Sequence, residues 1–178
     1  MNETFKTNDN VSIKIINMRV VAEYLGLTID EAEECIKKGL NPESIPGAVH
    51  EQTTHNIITN VGLDLFVKRL KDIDTTTSRI THFAVGTGDT TPAVTQTTLG
   101  TEIFRDQITQ SAYVSTGVIL IKCYIPTAYP ASQPVTLKEA GLFNSVTSGV
   151  MFARSLISPA IPKDNTISIV ISWEVHAA

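Results

Sequence analysis

Residues 135–157 read VTLKEAGLFNSVTSGVMFARSLI. Two runs rich in apolar and β-branched residues, 135–144 and 149–157, flank the small polar group Ser145, Val146, Thr147 and Ser148, which is the pattern of a β-hairpin. A turn centred on that group sets Phe143 opposite Val150, Gly141 opposite Phe152 and Glu139 opposite Arg154, so unlike charges meet across the strands. On the other face Ala140 and Leu142 meet Ala153 and Met151. Both faces carry apolar side chains, and such a hairpin is expected to be covered twice. A second sheet would cover one side, and a helix or a neighbouring subunit the other.

Outward from the hairpin the period of two persists over the second part of the chain. Segments 80–86, 102–112, 114–125 and 166–175 read as further strands, and Gly86, Gly88 and Pro92 mark a loop reaching to about Thr98. Thr, Ile and Val number 23, 20 and 15 of 178 residues against 11 Leu, a bias toward side chains that favour a pleated surface. The expected fold is mainly β: an antiparallel β-sandwich preceded by a small α-helical N-terminal segment, α+β overall. Phe83, Val85, Leu120, Leu142, Met151, Ile169 and Trp173 are its expected core.

The first part of the chain differs. Val11, Ile13 and Ile15 alternate as a short strand with no sequence-adjacent partner. Met18, Val21, Ala22 and Leu25 then recur at helical spacing up to Gly26, a helix-closing glycine. Thr28 and Glu31 form a capping box that opens a second helix with the apolar line Ile29, Ala32 and Ile36. Gly39 and Asn41-Pro42 stop it. A link through Pro46 and Gly47 leads to a third amphipathic helix over 61–70. Residues 1–55 are therefore expected to be a docking arm, offering Val11, Ile13, Ile15, Val21, Leu25, Ile29 and Ile36 to a neighbour, and residues 56–178 a helix plus β-sandwich domain.

Composition narrows the function. The chain carries 14 basic and 18 acidic residues. Only 12 of these charges fall among the 104 residues from Thr75 onward, which suits a surface buried by a partner more than one that keeps a monomer soluble. Residues 21–39 have helix-turn-helix spacing, yet the second helix carries Asp30, Glu31, Glu33 and Glu34, which would face phosphates. The GTGDT loop at 86–90 lacks the Lys-Ser or Lys-Thr of a phosphate cradle and leads to a strand. His50 and His55 do not form a metal motif, His82 stands alone, and Cys123 lies among apolar neighbours that make a thiol inert. No serine sits in a nucleophile elbow. The expectation is a protein that is no enzyme and that uses no cofactor, metal, nucleic acid, membrane or small-molecule substrate.

The order of motifs resembles a known family. Asn60-x-Gly62 at a helix start, AVGTGDTTPAVTQTTLGTEIFR, EAGLFNS, GVMFARSLISPAIPK and the closing ISIVISWEV are similar to a domain of tailed-bacteriophage virion proteins, found at the start of tail-collar and tail-fibre proteins and in tail and baseplate components. The resemblance covers about residues 56–175. Its matching positions are Gly86, Gly88, Leu99, Glu102, Arg105, Glu139, Gly141, Leu142, Phe143, Ala153, Arg154 and Trp173. It implies virion assembly without catalysis, in a virion made in the bacterial cytoplasm. With an end at Ala178, the expectation is a short connector or adaptor of the tail, baseplate or neck that mediates fibre attachment. Its partners would be itself in a symmetric ring and other virion proteins. A capsid-decorating protein is the alternative, and a helix-turn-helix regulator a further one.

Overall fold

The computed structural model describes residues 10–71 and 78–176. Among the described residues nine strands form one antiparallel sheet: β1 (Asn10–Asn17), β2 (Val49–Ile58), β3 (His82–Gly86), β4 (Glu102–Gln107), β5 (Gln110–Ser115), β6 (Val118–Ile125), β7 (Val135–Phe143), β8 (Met151–Lys163) and β9 (Ile167–His176). Their order across the sheet is β4-β3-β7-β8-β2-β1-β9-β6-β5. Helices α1 (Met18–Leu25) and α2 (Ile29–Lys37) and a 3-10 turn at Pro42–Ser44 lie between β1 and β2, and α3 (Asn60–Leu70) follows β2.

Chain connectivity forces this sheet to curl. The edge strands β4 and β5 are separated in sequence only by Ile108 and Thr109. Three Cα steps reach at most about 11 Å, whereas nine flat strands would span roughly 38 Å at their usual spacing. The edges therefore come together. The Ile108 N–H bonds the Thr81 carbonyl at 3.0 Å and the Thr109 N–H bonds that of Lys122 at 2.8 Å, one tie to each edge. The expected single strand over 102–112 is thus two strands, divided where the chain crosses. Another division comes at Thr116 and Gly117, where Gly117 takes a φ of 74°.

Curling wraps the sheet around one apolar core. Phe83 and Val85 of β3, Leu142 of β7, Ile121 and Cys123 of β6, and Ile169 and Trp173 of β9 meet there. Two expected members are elsewhere. Leu120 is on the opposite face of β6, whose odd-numbered residues point inward. Met151 belongs to a small cluster with Ala84, Leu99 and Phe143 on the outer side, because a bulge between β7 and β8 falls near Phe143 and shifts the register there. For the same reason Gly141 faces Arg154 and Glu139 faces Leu156, two positions away from the expected pairing. A slip of two keeps every side chain on its face, so Glu139 and Arg154 still meet, diagonally.

The expectation that the first strand has no partner within the chain is corrected. β1 is not an unpaired strand: Val11 lies opposite Thr54 of β2 and Trp173 of β9, and β1 runs between those two strands. Val11 and Ile13 are wholly buried in the main core and Ile15 packs on it. Val21 is buried in a second cluster with Ile16, Met18 and Ala32, against which Leu25, Ile29 and Ile36 pack. The helices therefore do not precede the sheet; they are an excursion between two of its central strands. β2 was not expected from the sequence, because VHEQTTHNII carries only one buried residue, Asn56, and alternates polar with polar.

Candidate functional site

Glu139 and Arg154 are both completely buried, on neighbouring strands β7 and β8. Their ion pair is 2.8 Å from Arg154 Nη2 to Glu139 Oε2, with a second bond from Nε at 3.1 Å. Ionised side chains at such depth need all their polar atoms bonded. The loop over 87–101 supplies the remainder. Glu139 Oε1 accepts from the N–H groups of Gly88 at 3.0 Å and Thr101 at 2.7 Å, and Oε2 accepts from Gly100 at 2.9 Å. Arg154 Nη1 donates to the Thr90 carbonyl and to Gln96 Oε1, each at 2.8 Å. Gln96 Oε1 also receives the Ala93 N–H at 2.9 Å.

The glycine loop is thus an anion cradle whose anion is the chain's own carboxylate. A Cβ on Gly88 would stand 2.5 Å from Glu139 Oε1, and one on Gly86 would stand 2.3 Å from the Thr101 carbonyl oxygen and 2.6 Å from Glu139 Oε1. Only glycine lets the backbone approach so closely. Burial by itself pushes the Glu139 carboxyl up, but the Thr101 and Gly100 amides and the Arg154 guanidinium outweigh it and hold the group below its ordinary value.

A second cluster sits beside the first. Arg105 of β4 grips Glu102 through Nε at 2.8 Å and Nη2 at 2.6 Å, donates from Nη1 to the Ser145 carbonyl at 2.9 Å, and lies 3.6 Å above the Phe143 ring. It ties the sheet edge to the β7–β8 turn. Gly141 leaves room between Phe143 and Leu99, where a Cβ would be 3.0 and 3.1 Å from their side chains. Gly86, Gly88, Glu102, Arg105, Glu139, Gly141, Phe143 and Arg154 therefore converge on one latch. Trp173 does not join it; it is buried between Val11 and Ile121 in the other half of the sheet.

Another buried carboxylate escaped the sequence reading. Glu33, expected on the exposed face of α2, is 5% exposed. Its oxygens accept from Tyr124 Oη at 2.8 Å, the Thr127 N–H at 2.9 Å and Thr127 Oγ1 at 2.7 Å, stapling α2 to the end of β6. Asp30, Glu31 and Glu34 remain exposed. Close by, Lys163 Nζ is buried and donates to the Thr127 and Asp164 carbonyls at 3.2 and 2.8 Å, and burial pushes its ammonium down to about 8 despite the nearby Asp164 and Glu33. No local signal marks Glu33, since its partners are more than ninety residues away.

Burial raises the Cys123 thiol well above its ordinary value, which leaves it protonated and unreactive. Among the described residues no group of three His, Cys, Asp or Glu side chains is placed to hold a metal ion. Among them, too, no helix is long and apolar enough to cross a membrane. No protein-family model, curated protein or solved structure matches the chain.

Proposed function

We propose that the chain is a structural bacteriophage virion component, a short connector or adaptor of the tail, baseplate or neck, and that its curled sheet works as a two-layer sandwich in that assembly. The observation that supports this reading is the latch. Eight positions of the tail-protein resemblance come together there, and the atoms of Glu139 and Arg154 are consumed by bonds that fasten a loop to the sheet. A carboxylate saturated by three amides and a guanidinium is suited to rigidity, not to proton transfer. A rigid sheet with few charges in its longer part is the kind of block that repeats in symmetric assemblies.

Immunogold labelling of purified tailed particles with antibody raised against the protein tests the proposal. Labelling at the tail, baseplate or neck is expected, with loss of the tail or of its fibres when the reading frame is deleted. Labelling of the head surface would move the protein to the capsid-decorating alternative. Particles without the protein and unaffected by its deletion would end the virion reading.

A further inference from the structure

The curled sheet has two unlike poles. Register places Val118 of β6 beside His176 of β9, and Ile125 beside Ile169, so α1 and α2, which follow the Asn17 end of β1, sit at the pole away from Val118 and His176. At the Val118 pole, α3 and the β5–β6 hairpin border an open apolar groove of about 490 Å³ that leads into the core. Leu63, Phe66, Tyr113 and Ile119 line it while remaining 38–72% exposed. Among its described lining residues Arg79 is an exposed cation. A rim of that kind suits an apolar anchor flanked by acids.

The other pole carries such an anchor. Tyr24 and Leu27, at the turn between α1 and α2, are 65% and 37% exposed. Around them Glu23, Asp30 and Glu31 are exposed, and residues 21–31 contain no Lys or Arg. We propose that the groove bordered by α3 and the β5–β6 hairpin receives the Tyr24–Leu27 knuckle of a second copy of this chain. This deepens the assembly reading above and rests on it for the choice of partner. The two surfaces differ, so the contact is heterologous and each copy keeps one groove and one knuckle open. Repetition of that contact closes a ring or extends a filament, depending on the rotation between neighbours. Tyr24 is the anchor, because a tyrosine buries a large ring while its hydroxyl finds a polar partner at the rim.

Analytical ultracentrifugation of the whole chain tests this with two variants. Tyr24→Ala with Leu27→Ser removes the knuckle and leaves the groove; Ile119→Asp spoils the groove and leaves the knuckle. Each alone should sediment as a monomer under conditions where the wild type assembles, with self-affinity reduced about tenfold or more. Mixed together they should form a heterodimer of one to one and nothing larger, because one intact groove and one intact knuckle remain. Circular dichroism melts matching the wild type show that both variants fold. A gentler pair, Arg79→Glu and Asp30→Arg, should each weaken assembly and recover it when mixed. A wild type that stays monomeric at high concentration overturns the proposal while leaving the virion reading standing. Self-association that persists in both variants overturns it equally. Particles that lack the protein, with the heterodimer still formed, would strike the virion reading and leave this interface.

Discussion

Two buried carboxylates fasten peripheral segments to the same sheet by different means. Glu139 is met by a guanidinium and three amides, whereas Glu33 is met by two hydroxyls and one amide, with no ion pair among the described residues. The first site neutralises its charge on the spot and holds a loop of some fifteen residues with no regular structure of its own. The second holds α2, which already has its own capping box, helix hydrogen bonds and apolar cluster. A completely buried ion pair thus fastens a loop that has no regular structure of its own. It follows that losing Glu139 disorders the loop and exposes the outer cluster of Ala84, Leu99, Phe143 and Met151, while losing Glu33 loosens a helix pair that keeps its own packing.

The largest effect would come from removing what both sites are fastened to. Deletion of residues 1–17 takes β1 from between β2 and β9 and should abolish cooperative unfolding altogether, read by circular dichroism and thermal melts. Replacing residues 18–47 by an Asn-Gly turn should instead leave a folded sheet, because Ile16 and Val49 already face each other across an antiparallel pair. A folded product of the first deletion would restore the arm reading and dissolve the comparison.

Next comes the ion pair. Glu139→Gln or Arg154→Met alone should cost about 3–5 kcal/mol in denaturant unfolding, since each leaves the other charge buried and unpaired. The double variant should cost less than the sum of the two. Because the Glu139 carboxyl is held below its ordinary value in the folded chain, its stabilisation is present above the unfolded value and lost as pH falls through the folded one. Glu139→Gln should therefore flatten the acid limb of the stability profile. Strict additivity of the two substitutions would mean that the pair acts as two independent groups.

Glu33→Gln should be milder, about 1–3 kcal/mol, as it disturbs hydrogen bonds to neutral donors while the nearby Lys163 ammonium keeps its two carbonyl acceptors. An equal loss at Glu33 and Glu139 would erase the distinction drawn between them. The smallest effect concerns Lys163. Its ammonium is lowered to about 8 by burial, so between that value and its ordinary 10.5 the unfolded chain binds more protons than the folded one. Stability should rise with pH across that window relative to Lys163→Met, by about 3 kcal/mol if the whole shift were felt and by about 1–2 kcal/mol with partial solvent screening. A parallel pair of profiles would show that Lys163 is solvated in solution.

What the sequence by itself determined is what neighbours along the chain decide. Gly26 closes α1 with a φ of 67°, and Thr28 with Glu31 caps α2 in the reciprocal box read from their spacing. The meeting of Glu139 with Arg154 was legible too, since a hairpin register follows from its turn, and even a two-residue error kept the two on one face. The bulge that caused the error has no signature in residue type. Tertiary structure alone decided the rest. β1 pairs with β9 from the other end of the chain, and β2, polar on most positions, is recruited by backbone hydrogen bonds between β1 and β8. Glu33 and the cradle amides of Gly88 and Gly100 find their partners across 94, 51 and 39 residues. Periodicity records which face a side chain takes but not which distant segment lies against it. That is settled only when the edges β4 and β5, joined by two residues, draw the sheet into a curl and bring those segments together.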